Sequence, residues 1–166
     1  MTITIRPETP DDYTAIHNVT KRAFAGRPYA DGDEQELIGK LRDAGAIALS
    51  LVAEKDGIVV GQVTFSPGVA ADGSTGWYVL GPVAVEPALQ GEGIGGQLIR
   101  AGIAWLKEQD AAGCVLVGNP AYYSRFGFRL FPQFAPEGPH AEFYQMLPLG
   151  VNAPNVMVGY HPLFGG

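Results

Sequence analysis

The chain of 166 residues has a single cysteine, Cys114, so no disulfide can form within it. That thiol sits in the apolar run "GCVLVG" and reads as a packed core group. A reactive cysteine needs a base and exposure, and nothing near it in sequence supplies either. Basic residues are also scarce: 11 Lys and Arg stand against 17 Asp and Glu, for a net charge of −6. That balance argues against broad nucleic-acid binding, which needs a cationic face. A small anion stays possible, because backbone N–H groups bind anions without any net charge. Long hydrophobic runs are missing: none approaches the roughly 18 apolar residues of a membrane-spanning helix. The first residues, "MTITIRPETPDD", lack a basic segment followed by an apolar one, so no signal peptide is expected. The expected setting is soluble and cytoplasmic, with no membrane partner. What is abundant is core material: 46% of residues are hydrophobic and 17% charged, the balance of a folded chain. Repeats, low-complexity tracts and linkers are absent, so one domain over residues 1–166 is expected.

The order of elements follows from periodicity and punctuation. "TITIRP" alternates as a strand does and stops at Pro7. A helix is expected from Thr9 as N-cap, with Pro10 in its first position and Asp11 and Asp12 at its positive end. Ile16, Val19 and Phe24 form its apolar stripe. "DEQELIGKLRDAG" is a second helix, with Leu37, Ile38 and Leu41 inward and Gly45 at its end. "ALSLVAEKDGIVVGQVTFSP" is a hairpin turning at Asp56-Gly57. "GVAADGSTG" is a loop. "WYVLGPVAV" is a fourth strand, expected to be interrupted at Gly81-Pro82 by a bulge or local opening, because proline cannot donate to a ladder. A helix with Leu98, Ile99, Gly102, Ile103 and Leu106 on its packed side comes next. "AGCVLVG" is a fifth strand, then "NPAYYSRFGF" a short helix or turn, and "EFYQMLPL" and "NVMVGYHPLF" two more strands. The class is a mixed α+β sheet.

The informative segment is "VEPALQGEGIGGQLIRAGIAWL", with Gly91, Gly93, Gly95 and Gly96 at the start of a helix. Four glycines there cost helix stability. They also let backbone approach an anion at the positive end of a helix, and a pyrophosphate is the expected ligand. A nucleotide P-loop is excluded, since Gln97 stands where Lys-Ser or Lys-Thr would follow the last glycine. The pattern G-x-G-x-x-G does match at Gly91, Gly93 and Gly96. A dinucleotide site, however, wants the glycines tight against a strand and an acid about 20 residues on. Here "EPALQ" intervenes, and Glu108 and Asp110 fall on the helix end.

The pattern Q-x-x-G-x-G at Gln90, Gly93 and Gly95 resembles the GNAT superfamily of acetyl-CoA-dependent N-acetyltransferases. "LGPVAVEPALQGEGIGGQLI" is similar to that family's fourth strand, pyrophosphate loop and helix, and "YYSRFGF" to its later Tyr-x-x-x-Gly-Phe element. The combination "GPVAV…GNPAYYSRFGF" looks most like the family's uncharacterised YhbS-like bacterial subgroup. The resemblance implies a GNAT-like, mostly antiparallel central sheet flanked by helices and splayed between strands four and five. It implies acetyl-CoA as acetyl donor and direct attack by a primary amine in a ternary complex. The backbone of Val83, Ala84 and Val85 would pair with the pantetheine arm. Amides of Gln90, Gly91, Glu92, Gly93, Ile94, Gly95 and Gly96 would hold the pyrophosphate, with the Gln90 side chain bracing the loop. Asn119 would hydrogen-bond the pantetheine. Tyr123, four residues before Gly127, would protonate the departing sulfur as catalytic acid, and a backbone N–H of strand four would polarise the thioester carbonyl. No metal is implied.

One departure is Glu92, where the family commonly has a basic residue; Arg100 or Arg125 are candidates to offset its charge. No general base is legible. Glu34 and Glu36, His17 and Glu54 are candidates by type, and a water chain is the alternative. The acids Asp31, Asp33, Glu34 and Glu36 suit a cationic acceptor or a solvated loop face. The acceptor itself is not named by any motif, and both monomer and homodimer fit. A non-catalytic acyl-CoA-binding or sensing module on the same fold is the alternative function.

Overall fold

A computed structural model describes residues 2–27, 32–136, 138, 140–150, 156–160 and 164. The chain falls into two compact units, Met1–Phe65 with Gly81–Gly102 and Ser66–Leu80 with Ile103–Gly166. One sheet of seven strands has the hydrogen-bonded order β1-β2-β3-β5-β6-β8-β7, and a two-stranded ladder joins β4 to β9. The strands are β1 Ile3–Pro7, β2 Leu49–Lys55, β3 Ile58–Pro67, β4 Val69–Ala70, β5 Trp77–Val85, β6 Gly113–Val117, β7 Arg129–Leu130, β8 Tyr144–Pro148 and β9 Val158–Gly159. The helices are α1 Tyr13–Phe24, α2 Glu34–Asp43, α3 Ile94–Glu108 and α4 Pro120–Tyr123. The pairs β1–β2, β2–β3, β6–β8 and β7–β8 are antiparallel and β5–β6 is parallel. Parallel pairing needs a crossover, and the helix between β5 and β6 supplies it.

In the first unit, helices cover both faces of β2 and β3. Val52 pairs with Gln62 in the ladder, so both side chains lie on one face. There Ile16 of α1 and Ile38 of α2 pack with Val52. Gly61 points to the other face, where Ile94 and Leu98 at the start of α3 close over it. Further along α3, a Cβ at Gly102 would collide with the Phe65 ring, which explains a glycine inside a helix. In the second unit, Trp77, Val79, Val115, Tyr144 and Met146 bury one sheet face with Ala70 and Val158. On the other face Tyr78 meets Trp105 edge to face, ring centres 6.1 Å apart.

Several expectations change in detail. The first helix is preceded by a 3₁₀ turn, Pro10–Asp12, because the Asp12 carboxylate folds back to accept the Thr9 N–H at 2.8 Å. Thr20 and Ala23 are buried beside Ile16 and Val19, while Phe24 and Leu37 are only half-buried. The segment read as a plain loop after the hairpin contains β4, whose partner β9 comes from the tail. A strand read from local sequence alone misses a two-residue ladder whose partner is so distant. "WYVLGPVAV" is therefore the fifth strand by count, and it runs without interruption from Trp77 to Val85. Its irregularity is local: Gly81 has φ +139 and the Gly81–Pro82 bond is cis. Its ladder with β6 covers only Trp77, Tyr78 and Val79, opposite Gly113, Cys114 and Val115. In the tail only Val158 and Gly159 of "NVMVGYHPLF" form strand; part of that segment lies outside the described residues.

Two predictions follow from this packing. Gly102→Ala should destabilise the fold, because overpacking costs about 1–3 kcal/mol and outweighs a helix-propensity gain of about 1 kcal/mol; urea unfolding reads the sign. The second concerns Asp12, which Arg6 grips through Nη1 at 2.7 Å and Nη2 at 3.0 Å. That guanidinium draws the carboxyl down from 3.8 to about 2. A depressed carboxylate stabilises above its unfolded value and loses that contribution as pH falls through its folded one. Stability should therefore drop by about 1–2 kcal/mol, allowing for the solvent-exposed side of Arg6, between roughly pH 4 and pH 2. Asp12→Asn should abolish that part of the acid dependence in chemical unfolding followed against pH.

Candidate functional site

The glycine segment is built from the end of β5 upward. The Glu86 N–H donates to the Val60 carbonyl of β3 at 2.8 Å. Backbone polar groups alternate edges along a strand, so Val83 and Val85 turn theirs to the edge opposite β3. Ala84 buries its methyl and, by the same alternation, turns its backbone polar groups toward β3, where its carbonyl lies beside Gly61. A 3₁₀ turn, Pro87–Leu89, then carries the chain off the sheet. Gly91 and Gly93 both have left-handed backbone, φ +87 and +86, which a side chain would strain. The Gly93 carbonyl accepts the Gln97 N–H at 3.1 Å, making Gly93 the N-cap of α3. The amides of Ile94, Gly95 and Gly96 are then the helix's first donors, without partners inside it. Gly91, Glu92 and Gly93 are exposed, whereas Ile94 is buried and offers only its backbone. The result is a run of N–H groups at the positive end of a long helix, where an anion is stabilised.

Side chains hold this loop from both ends. Gln90 donates from Nε2 to the Val85 carbonyl at 3.1 Å, and its Oε1 accepts from Arg27 Nη2 at 2.8 Å. The Gln90 side chain thus ties the turn back to β5. Arg22 of α1 grips Glu86 with Nε and Nη2, at 2.9 and 2.6 Å, and the carboxylate raises the guanidinium pKa. Arg22 and Arg27 escaped the sequence reading, since each meets its partner more than sixty residues away and no local pattern marks them. Arg27 brings positive charge to the loop at Gln90, two residues before the acid Glu92. Arg100, one of the two arginines expected to offset that acid, is exposed on α3.

In the second unit, β6 ends at Val117 and α4 begins at Pro120. Asn119 spends its Oδ1 on the Ala121 N–H at 2.9 Å, capping α4. That leaves the side-chain NH₂ as its group for a ligand. The Tyr123 ring lies against Gly118 so closely that any Cβ there would collide with it. It meets Tyr122 and Phe128 edge to face, at centroid distances of 5.0 and 6.1 Å. Phe128 is fully buried, while Tyr122 and Phe126 are half-buried. The Gly118 carbonyl is held by Gln145 Nε2 at 2.9 Å. Arg125 stacks over Tyr122, 4.8 Å from its centroid.

The candidate bases scatter within the first unit. Glu34 accepts the Gly32 N–H at 3.2 Å and Glu54 pairs with Arg6 at 3.4 Å. His17 lines a separate groove of about 360 Å³ between α1 and α2, with Tyr13 and Arg42. Asp33 and Glu36 are exposed; Asp31 lies outside the described residues. Among the described residues no cluster of His, Cys, Asp or Glu could hold a metal, and no helix is long and apolar enough to cross a membrane.

Comparison with known proteins bears on this geometry. The pattern of the "Acetyltransferase (GNAT) family" matches residues 11–128. The Uncharacterized N-acetyltransferase YhbS of Escherichia coli K12 is 38% identical over 127 residues, covering 76% of this chain and 73% of that protein. A GNAT family acetyltransferase of Brucella melitensis, solved with acetyl-CoA, is 44% identical with a TM-score of 0.87, over 99% of each chain. The Escherichia coli YhbS structure, solved with CoA, is 32% identical with a TM-score of 0.88, over 98% of this chain and 91% of that one.

Cys114 stands apart from this chemistry. It is fully buried, and burial pushes its thiol pKa up. It should resist a thiol-specific disulfide reagent in the native state and react only at the rate of unfolding; equal rates with and without denaturant would contradict the packing described.

Proposed function

The chain belongs to the acetyltransferase (GNAT) family and is an acyltransferase, and we propose that it moves the acetyl group of acetyl-CoA to a primary amine by direct attack. The observation that carries the reading is the loop 90–96. It combines two left-handed glycines, a braced glutamine and the first amides of α3, which have no acceptor inside the helix. That arrangement suits the pyrophosphate of a coenzyme, and the structures solved with acetyl-CoA or CoA support the choice. In this reading Gln90, Gly91, Glu92, Gly93, Ile94, Gly95 and Gly96 form the phosphate cradle, and Val83 and Val85, on either side of Ala84, offer backbone to the pantetheine arm. Asn119 contributes its side-chain NH₂. A reaction that draws on acetyl-CoA supports a cytoplasmic setting.

The chemistry requires three events. The amine nitrogen attacks the thioester carbon, negative charge gathers on the carbonyl oxygen, and the carbon–sulfur bond breaks to release a thiolate. A backbone N–H of β5 is assigned to the oxygen. Tyr123 is assigned to the thiolate, which takes the phenolic proton. Its packing against Gly118, Tyr122 and Phe128 supports that role, because a ring held on three sides keeps its hydroxyl in one place. The proton lost by the amine passes to water.

Thermal unfolding with acetyl-CoA and with NAD tests the coenzyme first. At about a hundred times the dissociation constant, acetyl-CoA should add about 2.7 kcal/mol, a rise of about 5–11 °C, and NAD should add nothing. Free thiol released from acetyl-CoA across an amine panel then tests transfer. Tyr123→Phe should lower turnover by about 10²–10⁴-fold, the range for a lost acid, with coenzyme binding nearly unchanged. Equal loss of both would remove the acid role. Binding without thiol release for any amine would favour a sensing module instead.

A further inference from the structure

Gln62 lies on β3 with none of its surface exposed, and Thr64, two residues on, is equally buried. A buried amide must satisfy both of its ends. Here Nε2 donates to the Pro82 carbonyl at 3.2 Å, and Oε1 accepts the Thr64 hydroxyl at 3.1 Å. The Pro82 carbonyl can only accept, so the NH₂ end of the amide faces β5, and the threonine hydroxyl satisfies the oxygen left on the other side. An apolar residue could fill the same volume without any polar atom to satisfy. What the amide adds is a grip on one peptide, the one joining Pro82 to Val83. That peptide is trans. In a trans peptide the N–H points opposite to the C=O. Holding the Pro82 oxygen against Gln62 therefore aims the Val83 N–H away from Gln62. This agrees with the alternation along β5, which turns Val83 to the edge opposite β3.

We propose that Gln62 is a positioning residue for acyl transfer: steadied by Thr64, it fixes the Pro82–Val83 peptide so that the Val83 N–H meets the thioester carbonyl oxygen. The proposal rests on the coenzyme reading above, in which the arm of acetyl-CoA lies along residues 83–85. As the amine attacks, the carbonyl π pair moves onto oxygen and the hydrogen bond from Val83 strengthens. When the carbon–sulfur bond breaks, that pair re-forms the carbonyl and the sulfur leaves with the bonding electrons. A donor aimed before the reaction needs no reorganisation during it, the source of its catalytic effect.

The test uses acetyl-CoA carrying ¹³C at the thioester carbonyl, with difference infrared spectroscopy of the bound form. In the unaltered chain the carbonyl stretch should fall below its solution frequency. In Gln62→Met, which keeps length and apolar volume, the downshift should shrink. Turnover with an amine active in the panel should fall about 10–100-fold, short of losing an oxyanion donor outright. Binding of CoA, which lacks the thioester carbonyl, should hold nearly constant. Thr64→Val keeps Gln62 and removes only the hydroxyl, so it should shift frequency and turnover in the same direction by less. It serves as the test if Gln62→Met does not fold. An unchanged carbonyl frequency in the variants overturns the proposal. So does a loss of CoA binding in step with turnover, which would make Gln62 a support of the fold alone. Failure of the unaltered chain to bind acetyl-CoA overturns the coenzyme reading itself, before any variant is made.

Discussion

Everything at the glycine loop depends on how the first turn of α3 is seated. Ile94 and Leu98 close over Gly61, and both are buried, each contributing about 1.5–3 kcal/mol of apolar burial. That contact ties the helix start to the middle of β3. The amides of Ile94, Gly95 and Gly96 then cannot drift, although the glycines before them are free of side-chain constraint. A helix that opens with Gly-Gly would fray if left alone. Here tertiary burial overrides propensity, and the backbone stays bare where an anion would approach. Further along, the missing Cβ of Gly102 lets the same helix lie against Phe65.

The second organising device is the use of side-chain amides on β5 carbonyls. Gln90 takes the Val85 oxygen and Gln62 takes the Pro82 oxygen. Each bond meets a requirement that buried or strand-end carbonyls carry, and each also orients the peptide that follows. In the second unit Gln145 does the same for Gly118, the residue on which the Tyr123 ring rests. Three glutamines thus hold backbone at the three places where the proposed chemistry needs a fixed group.

The acidic balance of the chain is compatible with an anionic coenzyme because the donors are mostly neutral amides. Arg22 and Arg27 add charge from α1 and the residues after it. Their ion pair and hydrogen bond are solvent-exposed and each contributes little to stability. Their effect is local, bracing the loop and placing a cation near it.

Much of the fold, and the glycine turn on which the proposed site is built, was legible in the sequence. Gln90 with the four glycines marks a bare turn at a helix start, where glycine costs helix stability and leaves backbone open to a ligand. Tyr123 and Gly127 mark the later element, and the hairpin, the helix stripes and the α+β class follow from periodicity. What the sequence could not express were contacts between residues distant along the chain. Arg27 on Gln90, Gln62 on Pro82 and β4 on β9 leave no local pattern, since each partner is an ordinary residue in its own segment. The interruption expected at Gly81-Pro82 shows the same limit: the ladder with β6 ends at Val79, yet the strand runs on to Val85. Proline's missing N–H is a local fact, but whether the strand continues depends on what satisfies its neighbours' polar groups. The sequence by itself determined where backbone had to be bare and which segments were apolar on one side. Only the tertiary structure decided which side chains would hold that backbone in place, because hydrogen-bond partners are chosen by proximity in space.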